Sequence, residues 1–258
     1  MGRFTIGLIG KFFGGQHFFA QGLSEGAGAG GEARPIFLNS GDPTDFLEIC
    51  DAWVLLHDEG TVHLETLRES GAPIMGRAER LAELEVPVIG MDDRAAFFEV
   101  GRQCLRAGAE KLAFFGVDAP FSKRREEGTQ RAAAEAGAEF LPFDDFAELE
   151  HWLIELRGEK KQAAVLCMND AAGYRVLRVA LHLYLEVPGL LQVVGVDNGP
   201  PRDGNIPTLS SIELPLREQG RMMGERLRAL EAGEDVPAEV VNVPVDQVLV
   251  HHRMSTKG

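Results

Sequence analysis

Ala163-Ala164-Val165-Leu166-Cys167-Met168-Asn169-Asp170 is the stretch on which the fold turns. An uncharged apolar run stops on an amide and a carboxylate. The run is too short for a core helix and shows no polar alternation, which is the pattern of a strand covered on both faces in a parallel sheet. The same grammar recurs in Val88-Ile89-Gly90-Met91-Asp92-Asp93 and in Val193-Val194-Gly195-Val196-Asp197-Asn198. In open parallel sheets, ligands bind just beyond the carboxyl ends of the strands. These polar pairs therefore stand where a polyhydroxylated small molecule could be gripped. A plainer role competes, because Asp and Asn after a strand also cap the helix that follows.

Outward from these runs, strand-like and helix-like segments alternate. Strands are expected at 4–9, 34–39, 52–56, 73–76, 86–91, 111–116, 139–142, 163–168, 191–196, 207–213 and 241–250. Helices are expected at 18–27, 62–70, 78–84, 94–107, 123–136, 146–157, 171–185 and 215–232. Leu216, Met223, Leu227 and Leu230 line one face of the last helix, and Gly233 is placed to stop it. Such alternation predicts an α/β protein whose parallel sheets are flanked by helices. That is too many strands for one ordinary open sheet, so two lobes are expected. Gly108 and the turn-rich Gly199–Pro207 segment are the natural places for the chain to change lobe. The expected division is 1–108 plus 213–238 for the N-terminal lobe and 109–212 plus 239–258 for the C-terminal lobe.

Composition narrows the function classes. The 258 residues carry a formal net charge of -14. Nucleic-acid binding is driven by clustered Lys and Arg, and no basic run exceeds Lys123-Arg124-Arg125. The chain by itself is a poor binder of DNA, RNA or an anionic membrane surface. Cys50, Cys104 and Cys167 each sit in an apolar segment, the usage of core thiols in a reducing cytoplasm. No run approaches a membrane span, and Phe4–Ile9 after Arg3 reads as a strand rather than a secretory signal. A cytoplasmic location is expected.

Candidate motifs for other chemistries read poorly. Gly26-Ala27-Gly28-Ala29-Gly30-Gly31 fits G-x-G-x-x-G, but a dinucleotide fingerprint needs a strand before it and a helix after it. Here the order is reversed, so the glycines read as a loop that ends a helix. His57 and His63 flank a loop without close-spaced thiols, and His251-His252 point to opposite faces of a terminal strand. No metal site and no cofactor are expected. No G-x-S-x-G elbow and no nucleophile with its base stand out, so no catalysis is expected.

Arg125 lies near the start of a helix after the strand at 111–116, and so projects from a carboxyl-end rim. A guanidinium opposite a carboxylate forms a planar clamp for vicinal hydroxyls or a carboxylate; the alternative is a surface pair with Glu126 or Glu127. Phe12, Phe13, Phe18 and Phe19 cluster after the first strand. At least one pair suits the core, and the other could stack on the C–H face of a sugar ring.

The order of segments resembles the lactose/galactose repressor (LacI/GalR) family. The resemblance is carried by Pro87–Asp93, Gly108–Gly116, Arg125-x-x-Gly128, Ala163–Asp170, Val187-Pro188, Val193–Asn198, Pro207–Ile212, Met223-Gly224 and Val243-Pro244-Val245. It spans nearly the whole chain and implies the two-lobed periplasmic-binding-protein-like type I fold, with a sugar-sized ligand between the lobes. The end of the chain and Asp197-Asn198 look most like xylose-operon activators, which carry an AraC-type DNA-binding domain after the sensor. By the same resemblance, Arg125, Asn169 and Asp197 match ligand-hydrogen-bonding positions, and Asp92 matches a rim acid on the opposite lobe, which leaves Asp93 and Asp170 as the expected helix caps. Glu213 falls where relatives place a ligand-contacting amide, and Phe18-Phe19 matches an aromatic pair. Gly15-Gln16-His17 replaces the usual Asn-Pro lead-in, which brings His17 into the candidate set.

The expectation is the effector-sensing part of a bacterial transcriptional regulator. A monosaccharide such as xylose would close the lobes and control a DNA-binding module that this chain lacks, in a homodimer. A stand-alone sugar-binding protein is the alternative.

Overall fold

The computed structural model describes residues 3–11, 16–28, 32–39, 41–159, 161–199, 208–244 and 249–256. The elements in chain order are β1 (Phe4–Ile9), α1 (Gln16–Ala27), β2 (Ala33–Phe37), β3 (Ala52–Leu55), α2 (Leu64–Glu69), β4 (Ile74–Gly76) and β5 (Val88–Met91). There follow α3 (Asp93–Arg106), β6 (Lys111–Phe115), α4 (Pro120–Ala136), β7 (Glu139–Phe143), α5 (Phe146–Leu156), β8 (Ala163–Cys167) and α6 (Asp170–His182). The chain continues with β9 (Leu191–Val196), β10 (Ser210–Glu213), α7 (Leu216–Glu231), β11 (Val240–Val243) and β12 (Leu249–His251). Short 3-10 turns occupy Asp58–His63 and Glu79–Leu84, where continuous α-helix was expected at 62–70 and 78–84.

The chain divides into two compact units, residues 1–91 with 215–244 and residues 92–214 with 245–258. In the first unit a wholly parallel sheet runs in the order β11-β5-β4-β3-β1-β2. One face packs Ile9, Trp53, Leu55 and Val88 against Leu64, Leu67 and Leu81. Within the same unit α1 and α7 lie against one another at backbone distance. A Cβ on Gly22 would stand 1.8 Å from the Arg217 carbonyl oxygen, and one on Gly26 would stand 2.0 Å from that of Arg221. Only glycine permits that approach.

In the second unit the order is β12-β10-β9-β8-β6-β7, parallel except for the antiparallel edge pair of β10 and β12. Successive residues of its central strands serve opposite faces. Val165, Cys167 and Val193 pack with Leu149, Leu153 and Leu177 on one side. Leu166, Val194 and Val196 pack with Phe97, Val100 and Ala132 on the other. This double burial is why the runs carry no polar alternation. The sheet order reverses beside β6, which makes the carboxyl ends of β6 and β8 a topological switch point.

Two expectations need correction. The change of unit comes at Met91/Asp92 rather than at Gly108, because α3 packs on α4. There, a Cβ on Gly128 would stand 2.3 Å from the Arg94 carbonyl oxygen. Residues 92–108 and Glu213 thus belong to the second unit, and β11 to the first. The expected strand 241–250 is two strands, β11 beside β5 and β12 beside β10. Positions 200–207 and 245–248, Phe12-Phe13, Gly15 and positions 29–31 lie outside the described residues. The three cysteines are buried and free. Burial pushes the Cys104 thiol up to about 12 and, with the Asp51 charge, that of Cys50 up to about 11.

Candidate functional site

The polar pairs that follow β5 and β8 resolve in the same way. The first member caps the helix and the second is buried. Asp92 Oδ1 accepts the Ala95 N–H at 2.9 Å, and Asn169 Oδ1 accepts the Ala172 N–H at 2.9 Å. Asp93 and Asp170, expected as the caps, are instead the first residues of α3 and α6. From the first helical position a side chain does not reach back to the free N–H groups of its own turn, and both carboxylates find partners elsewhere. Capping uses one atom of each first member. Among the described residues, Asp92 Oδ2 and Asn169 Nδ2 make no hydrogen bond, and both side chains are half-buried. Asp92 lies in the same unit as Asn169, where the sequence suggested opposite lobes.

Arg125 does not pair with Glu126 or Glu127. Its side chain is buried and donates Nε–H to Asp93 Oδ1 at 2.8 Å and an Nη to the Met168 carbonyl. The guanidinium sits 5.2 Å from the Phe121 ring centroid and 5.6 Å from that of Phe97. Arg124 approaches the other Asp93 oxygen at 3.7 Å. The pair therefore locks Arg125 against the end of β8, immediately before Asn169. A planar donor held this way is pre-organised, because its side-chain freedom is already lost.

Among the described residues, no helix lies between the third pair and β10. Asp197 and Asn198 both have left-handed backbone, with φ of 102° and 47°. Asn198 donates Nδ2–H to Glu213 Oε2 at 2.8 Å, and its Oδ1 accepts from Arg253. His251 Nε2 lies 2.5 Å from the same Glu213 oxygen. Below them Asp170 accepts the Ser211 hydroxyl at 2.6 Å and the Gly199 N–H at 2.7 Å. Gly195 makes room for that carboxylate, since a Cβ there would stand 2.2 Å from Asp170 Oδ1.

Asn169, Asp197 and Glu213 thus stand at the carboxyl ends of the neighbouring strands β8, β9 and β10 of the second unit, where Arg125 is held against the end of β8, and Asp92 precedes the Asp93 that pairs with Arg125. The aromatic candidates belong to the first unit and part company. Phe19 is fully buried, with the Arg77 guanidinium 5.8 Å from its centroid, so it serves the core. Phe18 is 48% exposed and rests 3.9 Å, centroid to centroid, from the His17 ring. His57, at the end of β3, has its imidazole held below the ordinary value by burial and then by the Arg77 charge. Among the described residues no group of three His, Cys, Asp or Glu side chains could hold a metal ion. No helix among them is long and apolar enough to cross a membrane.

Three rim residues escaped the sequence reading: Asp93, His251 and Arg253. Asp93 was hidden by its neighbour, since both are aspartates. His251 reaches Glu213 through the antiparallel register that sets Ser211 opposite His251, which no local pattern signals. The even spacing of Ser211 and Glu213, on one face of β10, was the available clue.

Comparison with known proteins agrees with this architecture. Residues 102–255 match the family described as "Periplasmic binding protein-like domain". The chain is 24% identical over 210 residues to Catabolite control protein A of Priestia megaterium, covering 76% of this chain and 61% of that protein. It is 27% identical over 203 residues to the Xylose operon regulatory protein of Escherichia coli K12, covering 72% of this chain and 52% of that protein. The chain thus spans between 52% and 61% of the length of these relatives. The solved structure of the xylose-binding transcription activator xylR has the same fold, with a TM-score of 0.79 and 21% identity over 100% of this chain and 70% of that one. With more than half of its length matched, the chain belongs to the periplasmic-binding-protein-like domain family, on its LacI/GalR-like side.

Proposed function

We propose that this chain is the effector-sensing domain of a bacterial transcriptional regulator, and that its effector is a monosaccharide. One observation carries the reading. A buried, pre-paired guanidinium stands with the half-buried Asn169, Asp197 and Glu213 at neighbouring strand ends of one sheet, and capping leaves over Asn169 Nδ2 and, beside the guanidinium's partner Asp93, Asp92 Oδ2. Adjacent donors and acceptors of this kind match the hydroxyls of a small sugar, each of which both gives and takes a hydrogen bond. One relative is named a catabolite control protein and another a xylose operon regulatory protein, which makes D-xylose the first effector to try.

In this reading Asp92, Arg125, Asn169, Asp197 and Glu213 hydrogen-bond the sugar. The protein works as a binding module rather than an enzyme, in the cytoplasm and as a homodimer. DNA is read by a module outside these residues; an AraC-type module is the finer proposal, from the likeness to xylose-operon activators. The acidic balance of the chain, -14, supports leaving DNA contact to another part of the protein. A thermal-shift screen of pentoses, hexoses and their acids tests the effector claim. A saturable rise in melting temperature with at least one aldose is expected, and a flat response across the panel contradicts it.

A further inference from the structure

The loop after β9 holds two consecutive non-glycine residues in left-handed backbone, Asp197 at φ 102° and Asn198 at φ 47°. Such residues persist only where the surroundings over-determine them, and they gather at functional sites. Here the surroundings are explicit. The Asn198 N–H goes to Ser211 Oγ at 3.0 Å and the Gly199 N–H to Asp170 Oδ2 at 2.7 Å, so the buried Asp170–Ser211 pair grips the loop from below. From the side, Asn198 donates to Glu213 Oε2 and accepts from Arg253, which also donates to the Leu209 carbonyl at 2.7 Å. His251 Nε2 meets the same Glu213 oxygen at 2.5 Å.

We propose that Asn198, His251 and Arg253 are positioning residues of the effector site, a clamp that aims Asp197 and Glu213 without touching the ligand. This rests on the monosaccharide reading above. The clamp spends Glu213 Oε2 twice and leaves Oε1 without a hydrogen bond among the described residues. The site therefore presents a fixed acceptor at Glu213, and the ligand group that meets it is a hydroxyl or another donor. A carboxylate there takes hydrogen bonds and gives none, where an amide could do both. The clamp thus sets specificity too: an analogue whose hydroxyl is methylated or deleted at that position loses its partner and leaves the carboxylate unpaired.

The test uses the full 258-residue chain and calorimetric titration with D-xylose, or with the aldose giving the largest thermal shift if D-xylose gives none. Asn198→Gly accepts the left-handed backbone at no steric cost but removes the clamp, and its Kd is expected to rise by about tenfold or more. His251→Ala is expected to weaken binding, and His251→Gln, whose amide still donates to Glu213, to restore it to within about threefold of wild type. Binding stoichiometry reports the folded fraction and Kd reports aim. A merely structural role lowers stoichiometry or melting temperature and leaves Kd in place. Unchanged Kd in Asn198→Gly, or equal Kd in His251→Ala and His251→Gln, overturns the clamp while the effector reading stands. A wild-type chain that binds no aldose overturns both.

Discussion

Replacing Asp93 by alanine removes the carboxylate that two arginines share. Asp93 and Arg125 meet at 2.8 Å with side chains 7% and 8% exposed, and Arg124 stands 3.7 Å from the second oxygen. Without Asp93, the Arg125 guanidinium keeps the Met168 carbonyl and the faces of Phe97 and Phe121, but it loses its hydrogen-bonded carboxylate partner. Removing one partner of a buried ion pair costs about 3–5 kcal/mol, because the other is left charged and desolvated. At about 2–4 °C per kcal/mol for a chain of this size, melting is expected to fall by roughly 6–20 °C. Circular dichroism melts of wild type, Asp93→Ala, Asp93→Asn and the double variant Asp93→Leu/Arg125→Met measure this. Asparagine keeps an acceptor for Nε and is expected to lose less. The double variant removes both charges and is expected to melt above Asp93→Ala. A single-variant loss under about 2 °C, well short of the buried-pair range, or a double variant worse than the single one, would refute a buried, coupled pair.

Other outcomes follow from the same geometry. Asn169→Asp keeps the acceptor for the Ala172 N–H but turns the unused amide into an acceptor; melting should hold while sugar affinity drops about tenfold or more by titration. Gly26→Ala sets a methyl 2.0 Å from the Arg221 carbonyl oxygen and should cost about 1–3 kcal/mol in urea unfolding, despite the better helix propensity of alanine. Gly28→Ala, with nothing within 4 Å, is the matched control and should be neutral. Cys104 and Cys50, with thiols pushed up to about 12 and about 11 by burial, hold almost no thiolate at about pH 8. Iodoacetamide should label them only after denaturation, as read by mass spectrometry.

Much of the architecture was legible because double burial writes itself into composition. Val165–Cys167 and Val193–Val196 carry no polar residue, and both faces of their sheet are covered. The position of Asn169 and Asp197 at strand ends followed from the same runs, and that of Arg125 from the strand at 111–116, whereas Glu213 was suggested only by the family resemblance. What stayed hidden depends on tertiary contact. Asp92 and Asp93 are chemically identical, and only the backbone turn at the start of α3 makes one a cap and the other the partner of Arg125. The change of unit after Met91 carries no breaker residue, since it is decided by how closely α3 and α4 pack at Gly101 and Gly128. The pairing of β12 with β10, which delivers His251 to Glu213, is non-local by nature.

The most direct test of the central claim is isothermal titration of wild type and Asp197→Ala with D-xylose, D-ribose and D-glucose under identical conditions. Saturable binding of at least one of these sugars by wild type, with affinity lowered at least about tenfold in Asp197→Ala, is the result predicted here. No heat from any of the sugars with wild type, or equal affinity in the two proteins, would contradict a sugar site on this rim.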